Sequence, residues 1–163
     1  MIERRAGRAL VLAPTGRILL IRGTDPADTE RGGFWFTPGG GLDPGESLDA
    51  GTKRELAEEL GIDVAHLGPV VMERVNEFPL AGERYRQTET VFLVEVDAEF
   101  EPAPRLLEEL ELSVIDEMRW LGVDELRALD EPVYPTTLAD LLAAILADGP
   151  PGEPWREDLT AER

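Results

Sequence analysis

The chain contains no cysteine and a single histidine, His66, so it can build neither a disulfide framework nor a thiolate metal site. A chain without disulfides is expected in the cytoplasm by default. Positive charge is scarce as well: 16 Lys and Arg stand against 34 Asp and Glu, a formal net charge of −18. That balance opposes binding to a nucleic-acid backbone, where sequence-independent affinity comes from cationic contacts. No apolar run, the N-terminal MIERRAGRALVLAP included, is long enough for a signal peptide or a membrane span. There is no internal repeat. What is present, 163 residues of which 42% are hydrophobic, suits one domain with a sizeable core.

The chain is organised around Gly40 to Ile62, GGLDPGESLDAGTKRELAEELGI, a glycine-rich turn running into a short acidic helix. Ser47 or Asp49 can cap that helix, which runs to Leu60 and stops at Gly61. At about 100° per residue, Glu55, Glu58 and Glu59 fall within one arc of roughly 100°, with Leu56 and Leu60 as an apolar pair further round. Carboxylates this close repel one another unless something positive neutralises them. Mg²⁺ or Mn²⁺, hard cations that take oxygen ligands, are the natural solution in a chain with so few softer donors. The turn Pro38-Gly39-Gly40-Gly41 serves as a tight strand-to-helix connection, and it also lets a carbonyl or a phosphate approach the backbone.

Before this stretch, Ala9 to Ala13 and Ile18 to Arg22 read as a hairpin around Pro14-Thr15-Gly16. Residues 23–33 read as a loop and Phe34 to Thr37 as a strand. After it, Val64 to Asn76 and Arg86 to Asp97 are long strand candidates, with Pro79 and Gly82 bending the chain between them. Glu89 could project from its strand into a site at the helix. Pro102 to Ile115 is a charged loop or short helix, Met118 to Leu121 a strand, and a helix starts at Val123. TTLADLLAAILA, Thr136 to Ala147, is an amphipathic helix that packs on the sheet. It has no positive face, so a membrane-surface role is not expected. Residues 1–147 therefore read as a single domain and 148–163 as a Pro/Gly-rich tail, extended or mobile, which Trp155 could dock. The fold class is α+β, a mixed sheet covered by helices.

An anionic substrate would be repelled by the net charge, so it is expected to arrive with divalent metal and to meet a few local arginines. Arg22, Arg31, Arg84 and Arg86 are the candidates. Trp35 reads as core or pocket wall, with stacking on a substrate base as the other role.

The spacing Gly40, five residues, Glu46, seven residues, Arg54-Glu55-Leu56, one residue, Glu58-Glu59, one residue, Gly61-Ile62 resembles the Nudix box, GX5EX7REUXEEXGU, at every defined position. The resemblance implies an α/β/α sandwich with the box as a loop-helix-loop. It implies a metal-dependent hydrolase that cleaves a pyrophosphate bond in a nucleoside diphosphate linked to another group, or in a nucleoside triphosphate. Carried over by position, Glu55, Glu58 and Glu59 are the metal ligands, with the Gly39 or Gly40 carbonyl as a further one. Arg54 orients the glutamates, Glu46 supports that arginine, and Glu55 or Glu58 activates water. Many family members take a base or ligand from a later loop glutamate; Glu108, Glu109 and Glu111 are the candidates, with Glu111 favoured. Members that cleave ADP-ribose often carry a proline some sixteen residues beyond the box, and Pro79 lies 17 beyond Ile62. The resemblance implies a small nucleotide-type substrate as partner and admits a homodimer. The alternative it leaves open is a non-catalytic module that binds a nucleotide metabolite as a sensor. The intact box ranks the enzyme ahead.

Overall fold

The computed structural model describes residues 1–107, 112 and 114–160. Nine strands and three α-helices follow one another among the described residues: β1 Ile2–Leu12, β2 Ile18–Thr24, β3 Gly33–Phe36, β4 Gly39–Gly41, α1 Leu48–Leu60, β5 Val70–Leu80, β6 Glu83–Glu95, β7 Ile115–Leu121, α2 Val123–Arg127, β8 Val133–Tyr134, α3 Leu138–Asp148 and β9 Trp155–Asp158. The strands form one mixed sheet in the order β8-β3-β2-β1-β6-β5-β9, with β4 added to β1 and β7 to β2. None of the described helices is long and apolar enough to cross a membrane.

The sheet is covered on both faces, as an α/β/α sandwich requires. Alternation along β1 divides the core: Leu10 and Leu12 point to the face covered by α2 and α3, through Leu126, Leu138, Leu141, Leu142 and Ile145. Ala9, Val11 and Ala13 point to the other face, where Leu56 and Leu60 of α1 pack. Burying each of those leucines contributes about 2 kcal/mol. At its ends α1 uses the signals read from the sequence. Ser47 Oγ accepts from the Ala50 N–H, and Gly61 adopts a left-handed φ of 75°.

The sheet differs from the expected strands in several places. β1 begins at Ile2 rather than Ala9 and runs parallel to β6 from Ile2 opposite Tyr85 to Leu12 opposite Glu95. Its first half lacks apolar alternation because its inward side chains include Arg4 and Arg8, which line a cleft. β5 begins at Val70; Val64 and Leu67 pack on the core ahead of it. The bend between β5 and β6 shrinks to Ala81 and Gly82, both at positive φ (51° and 84°), as a tight two-residue hairpin turn demands. Pro79 lies inside β5, opposite Arg84. Among the described residues β9 pairs β5 only over Met72 to Val75, so none of them needs the missing N–H of Pro79. In the C-terminal segment, β9 runs parallel to β5 and Trp155 packs against the core.

Candidate active site

β1 meets β2 only at Leu12 opposite Ile18, and its first half is paired instead with the glycine strand β4, Ala6 to Arg8 opposite Gly41 to Gly39. This local splitting of the sheet lays the glycines flat against α1. Gly39 has a φ of 129°, and a Cβ there would stand 2.1 Å from the Gly7 carbonyl oxygen. Its N–H donates to Glu59 Oε1 at 2.9 Å. A Cβ on Gly40 would stand 2.7 Å from the Glu55 carboxylate. Glu55 and Glu59 are only 7% and 2% exposed, a placement that costs free energy unless hydrogen bonds or opposite charge compensate.

Arg54 supplies much of that compensation. Its Nε and Nη2 donate to the two carboxylate oxygens of Glu46 at 2.8 and 2.9 Å, a bidentate fork. Its Nη1 donates to Glu55 Oε1 at 3.0 Å and Glu58 Oε2 at 3.1 Å, and Nη2 also reaches the Gly41 carbonyl at 3.1 Å. The Arg54 hydrogen bond, and then the Asp43 N–H, pull the Glu46 pKa down to about 2. In turn the Arg54 pKa is raised, first by Glu46 and then by the charge of Glu55. One guanidinium thus gathers four carboxylates, those of Glu46, Glu55, Glu58 and, at 3.4 Å, Asp43, beside a fifth, Glu59, and leaves an excess of negative charge lined with oxygen donors. Among the described residues no three acidic or histidine side chains converge closely enough to hold a metal ion. The donor chemistry nevertheless suits a hard divalent cation, because every available side-chain donor is a carboxylate oxygen.

Beside the glycine strand, a cleft opens on the face of β1, β6 and β5. Its floor consists of cross-strand rows: Arg4, Gln87 and Asn76 in one, Ala6, Glu89 and Arg74 in the next. Phe78 stacks on Tyr85 at 5.6 Å, while Phe34, Phe36 and Tyr134 stand on the other wall. Glu89 is buried between Arg74 at 2.9 Å and Arg8 at 3.4 Å. Burial pushes its pKa up, but the charges of Arg8 and Arg74 outweigh that, and the carboxyl lies below its usual value. Arg8 joins the cleft to the glycine strand by donating to the carbonyls of Gly39 at 2.9 Å and Thr37 at 3.2 Å. Burial, and then the charge of Arg8, lower the pKa of Arg4.

The structure thus brings Gly40, Glu46, Arg54, Glu55, Glu58 and Glu59 together at one place. Glu89 and Arg31 face the adjoining cleft. The other arginine candidates stand elsewhere. Arg22 is held by Glu131 at 2.6 Å and Asp116 at 2.8 Å. Arg84 and Arg86 are exposed on the β6 face opposite Gln87 and Glu89. Trp35 is 1% exposed within the core, with Nε1 donating to Glu131 at 3.1 Å; the pleat turns its neighbours Phe34 and Phe36 into the cleft instead. Glu108, Glu109 and Glu111 lie outside the described residues. Arg4, Arg8, Arg74, Asn76 and Gln87 were not singled out from the sequence, although Arg74/Asn76 and Gln87/Glu89, polar residues two apart within strands, carry a same-face signal.

The chain matches the NUDIX domain family over residues 3–141. It is 49% identical over 39 residues to an 8-oxo-dGTP diphosphatase from Proteus vulgaris, a match covering 24% of this chain and 35% of that protein. It is 38% identical over 69 residues to a CTP pyrophosphohydrolase from Escherichia coli K12, covering 42% of this chain and 49% of that one. The matched stretches thus span half or less of each curated relative. A crystal structure of a MutT protein from Methanosarcina mazei Go1 superposes with a TM-score of 0.61 at 24% identity, covering 90% of this chain and 95% of the other, and shares the fold.

Proposed function

The chain belongs to the Nudix family, and from that premise we propose that it hydrolyses a nucleoside triphosphate to the monophosphate and pyrophosphate with Mg²⁺. The observation that carries the reading is the grouping of Glu46, Glu55 and Glu58 on Arg54 beside the glycine strand. The names of the two curated relatives support the triphosphate as substrate class. Glu55, Glu58 and Glu59, with the Gly40 carbonyl, would hold the cation, for which Mn²⁺ is a substitute. When bound, such an ion neutralises phosphate charge and makes attack by water accessible near neutral pH.

The chain's own residues do the positioning. Arg54 fixes the glutamates, and its fork to Glu46 stays ionised through the working pH range because the Glu46 pKa is about 2. Glu55 or Glu58 accepts the proton of the water that attacks phosphorus, while the P–O bond of the α–β bridge breaks and its electron pair leaves with pyrophosphate (attack at α) or with the nucleoside monophosphate (attack at β). Arg4, Arg8 and Arg31 counter the repulsion of an anion by a chain of net charge −18. Phe34, Phe36 and Tyr134 offer flat apolar walls for a base.

Pro79 lines the same cleft, which favours a second reading: cleavage of an ADP-ribose-like diphosphate. A panel of CTP, dGTP, 8-oxo-dGTP and ADP-ribose with Mg²⁺, resolved by chromatography, separates the two. Monophosphate and pyrophosphate from a triphosphate are expected as the fastest products. Faster conversion of ADP-ribose to AMP and ribose phosphate would replace the first reading with the second. Release of inorganic phosphate and a nucleoside diphosphate would count against both.

A further inference from the structure

Four of the buried side-chain polar atoms without a hydrogen-bond partner belong to the cleft: Arg4 Nε, Arg74 Nη2, Asn76 Oδ1 and Gln87 Oε1. Unpaired buried polar atoms are costly and uncommon, and a group of them in one cavity suggests a ligand that satisfies them together. Their identities say which groups that ligand must carry.

Gln87 is 1% exposed, and its amide has only one workable orientation. Its Nε2 donates to Glu89 Oε1, and an ionised carboxylate can only accept, so the nitrogen must face Glu89 and the oxygen must face away. Glu89 is kept ionised by Arg8 and Arg74. Asn76 stands directly opposite Gln87 in the antiparallel pair of β5 and β6, on the same face. Gln87 and Asn76 thus each carry an unpaired acceptor in one row, with an unpaired donor on Arg4 in the same row and another on Arg74 in the next.

We infer that the cleft selects nucleotides whose base carries an exocyclic amino group, with Gln87 and Asn76 as the specificity-determining pair. An amino group has two hydrogens for two acceptors, and the ring nitrogen or carbonyl beside it accepts from an arginine. Cytosine, adenine and guanine bases offer that combination. A base with an oxo group in the amino position turns a lone pair toward the Gln87 and Asn76 oxygens and leaves both unpaired. The stacked pair of Phe78 and Tyr85 forms the next row of the floor and limits how far the base can slide.

The inference rests on the proposed nucleotide hydrolysis, and it is tested with substrates that differ only by amino against oxo: CTP against UTP, and ATP against ITP. Wild-type kcat/KM is expected to favour the amino member of each pair by on the order of 10²-fold. Gln87→Met should bring the ratio to within about threefold, chiefly by raising KM for CTP and ATP. Asn76→Leu, at a half-buried position, gives a second variant with the same expected direction should Gln87→Met fold poorly. Calorimetric binding of CMP and UMP in chelator reads the same preference without turnover. Equal rates within each pair, or a preference that survives both substitutions, would overturn the inference. Absence of hydrolysis with CMP still bound over UMP would overturn the hydrolase reading and leave base selection standing.

Discussion

Glu58→Gln is expected to lower kcat by about 10³-fold while the thermal midpoint and far-UV circular dichroism stay close to wild type. The substitution keeps size and shape and removes one negative charge from the carboxylate group of α1. The Glu58 side chain is 25% exposed, and its described partner is Arg54 Nη1 at 3.1 Å. Arg54 keeps its bidentate hold on Glu46 and its bond to Glu55, so the local architecture has no reason to rearrange. What changes is the capacity to hold a cation or accept a proton, since a carboxamide is a weaker metal ligand and no base. The variant should also need a higher Mg²⁺ concentration for whatever activity remains. A rate near wild type would remove Glu58 from the site.

The second large effect separates the glycines. Gly40→Ala would put a methyl group 2.7 Å from the Glu55 carboxylate, closer than any real contact. No left-handed φ is required of Gly40, so alanine can adopt the backbone and the conflict falls on Glu55. Displacing that carboxylate by about 1 Å should cost on the order of 10²-fold in kcat. Gly41→Ala is the contrast. Its methyl would meet the Arg4 guanidinium no closer than 3.6 Å, an ordinary contact, and kcat should stay within about threefold of wild type. Gly39→Ala would clash with backbone at 2.1 Å and carries a φ of 129°, so its effect should appear as lost stability as well. Measuring kcat and thermal midpoint for the three variants tests this order; similar rates for the Gly40 and Gly41 variants would mean that Glu55 does not need its place.

The acidic helix and its glycine turn were legible in the sequence because their determinants are local. Ser47, Leu56, Leu60 and Gly61 declare the helix, and the clamp of Arg54 on Glu46 is what the resemblance to the Nudix box implies. The cleft was not legible, because its floor is a set of rows across β1, β6 and β5. Arg4 meets Gln87 only once the parallel register of β1 and β6 is known. Trp35 reads as core or pocket wall, with base stacking as the other role; the pleat puts it in the core and gives the cleft to Phe34 and Phe36. Pro79 reads as a bend because proline usually interrupts strands; at a position where no described strand needs its N–H it does not. The Pro/Gly-rich composition of residues 148–163 hid β9, a short strand whose Glu157 holds Arg74 at 2.8 Å and whose following Leu159 N–H donates to the Val75 carbonyl at 2.9 Å. Both partners are more than eighty residues away, out of reach of any local pattern.

Whether the glutamates of α1 act through a divalent cation is read from the rate of CTP hydrolysis at chelator-buffered Mg²⁺ concentrations. A saturable rise with free Mg²⁺, loss of turnover in excess chelator and recovery when Mg²⁺ is restored are expected. Turnover that persists undiminished in excess chelator would contradict it.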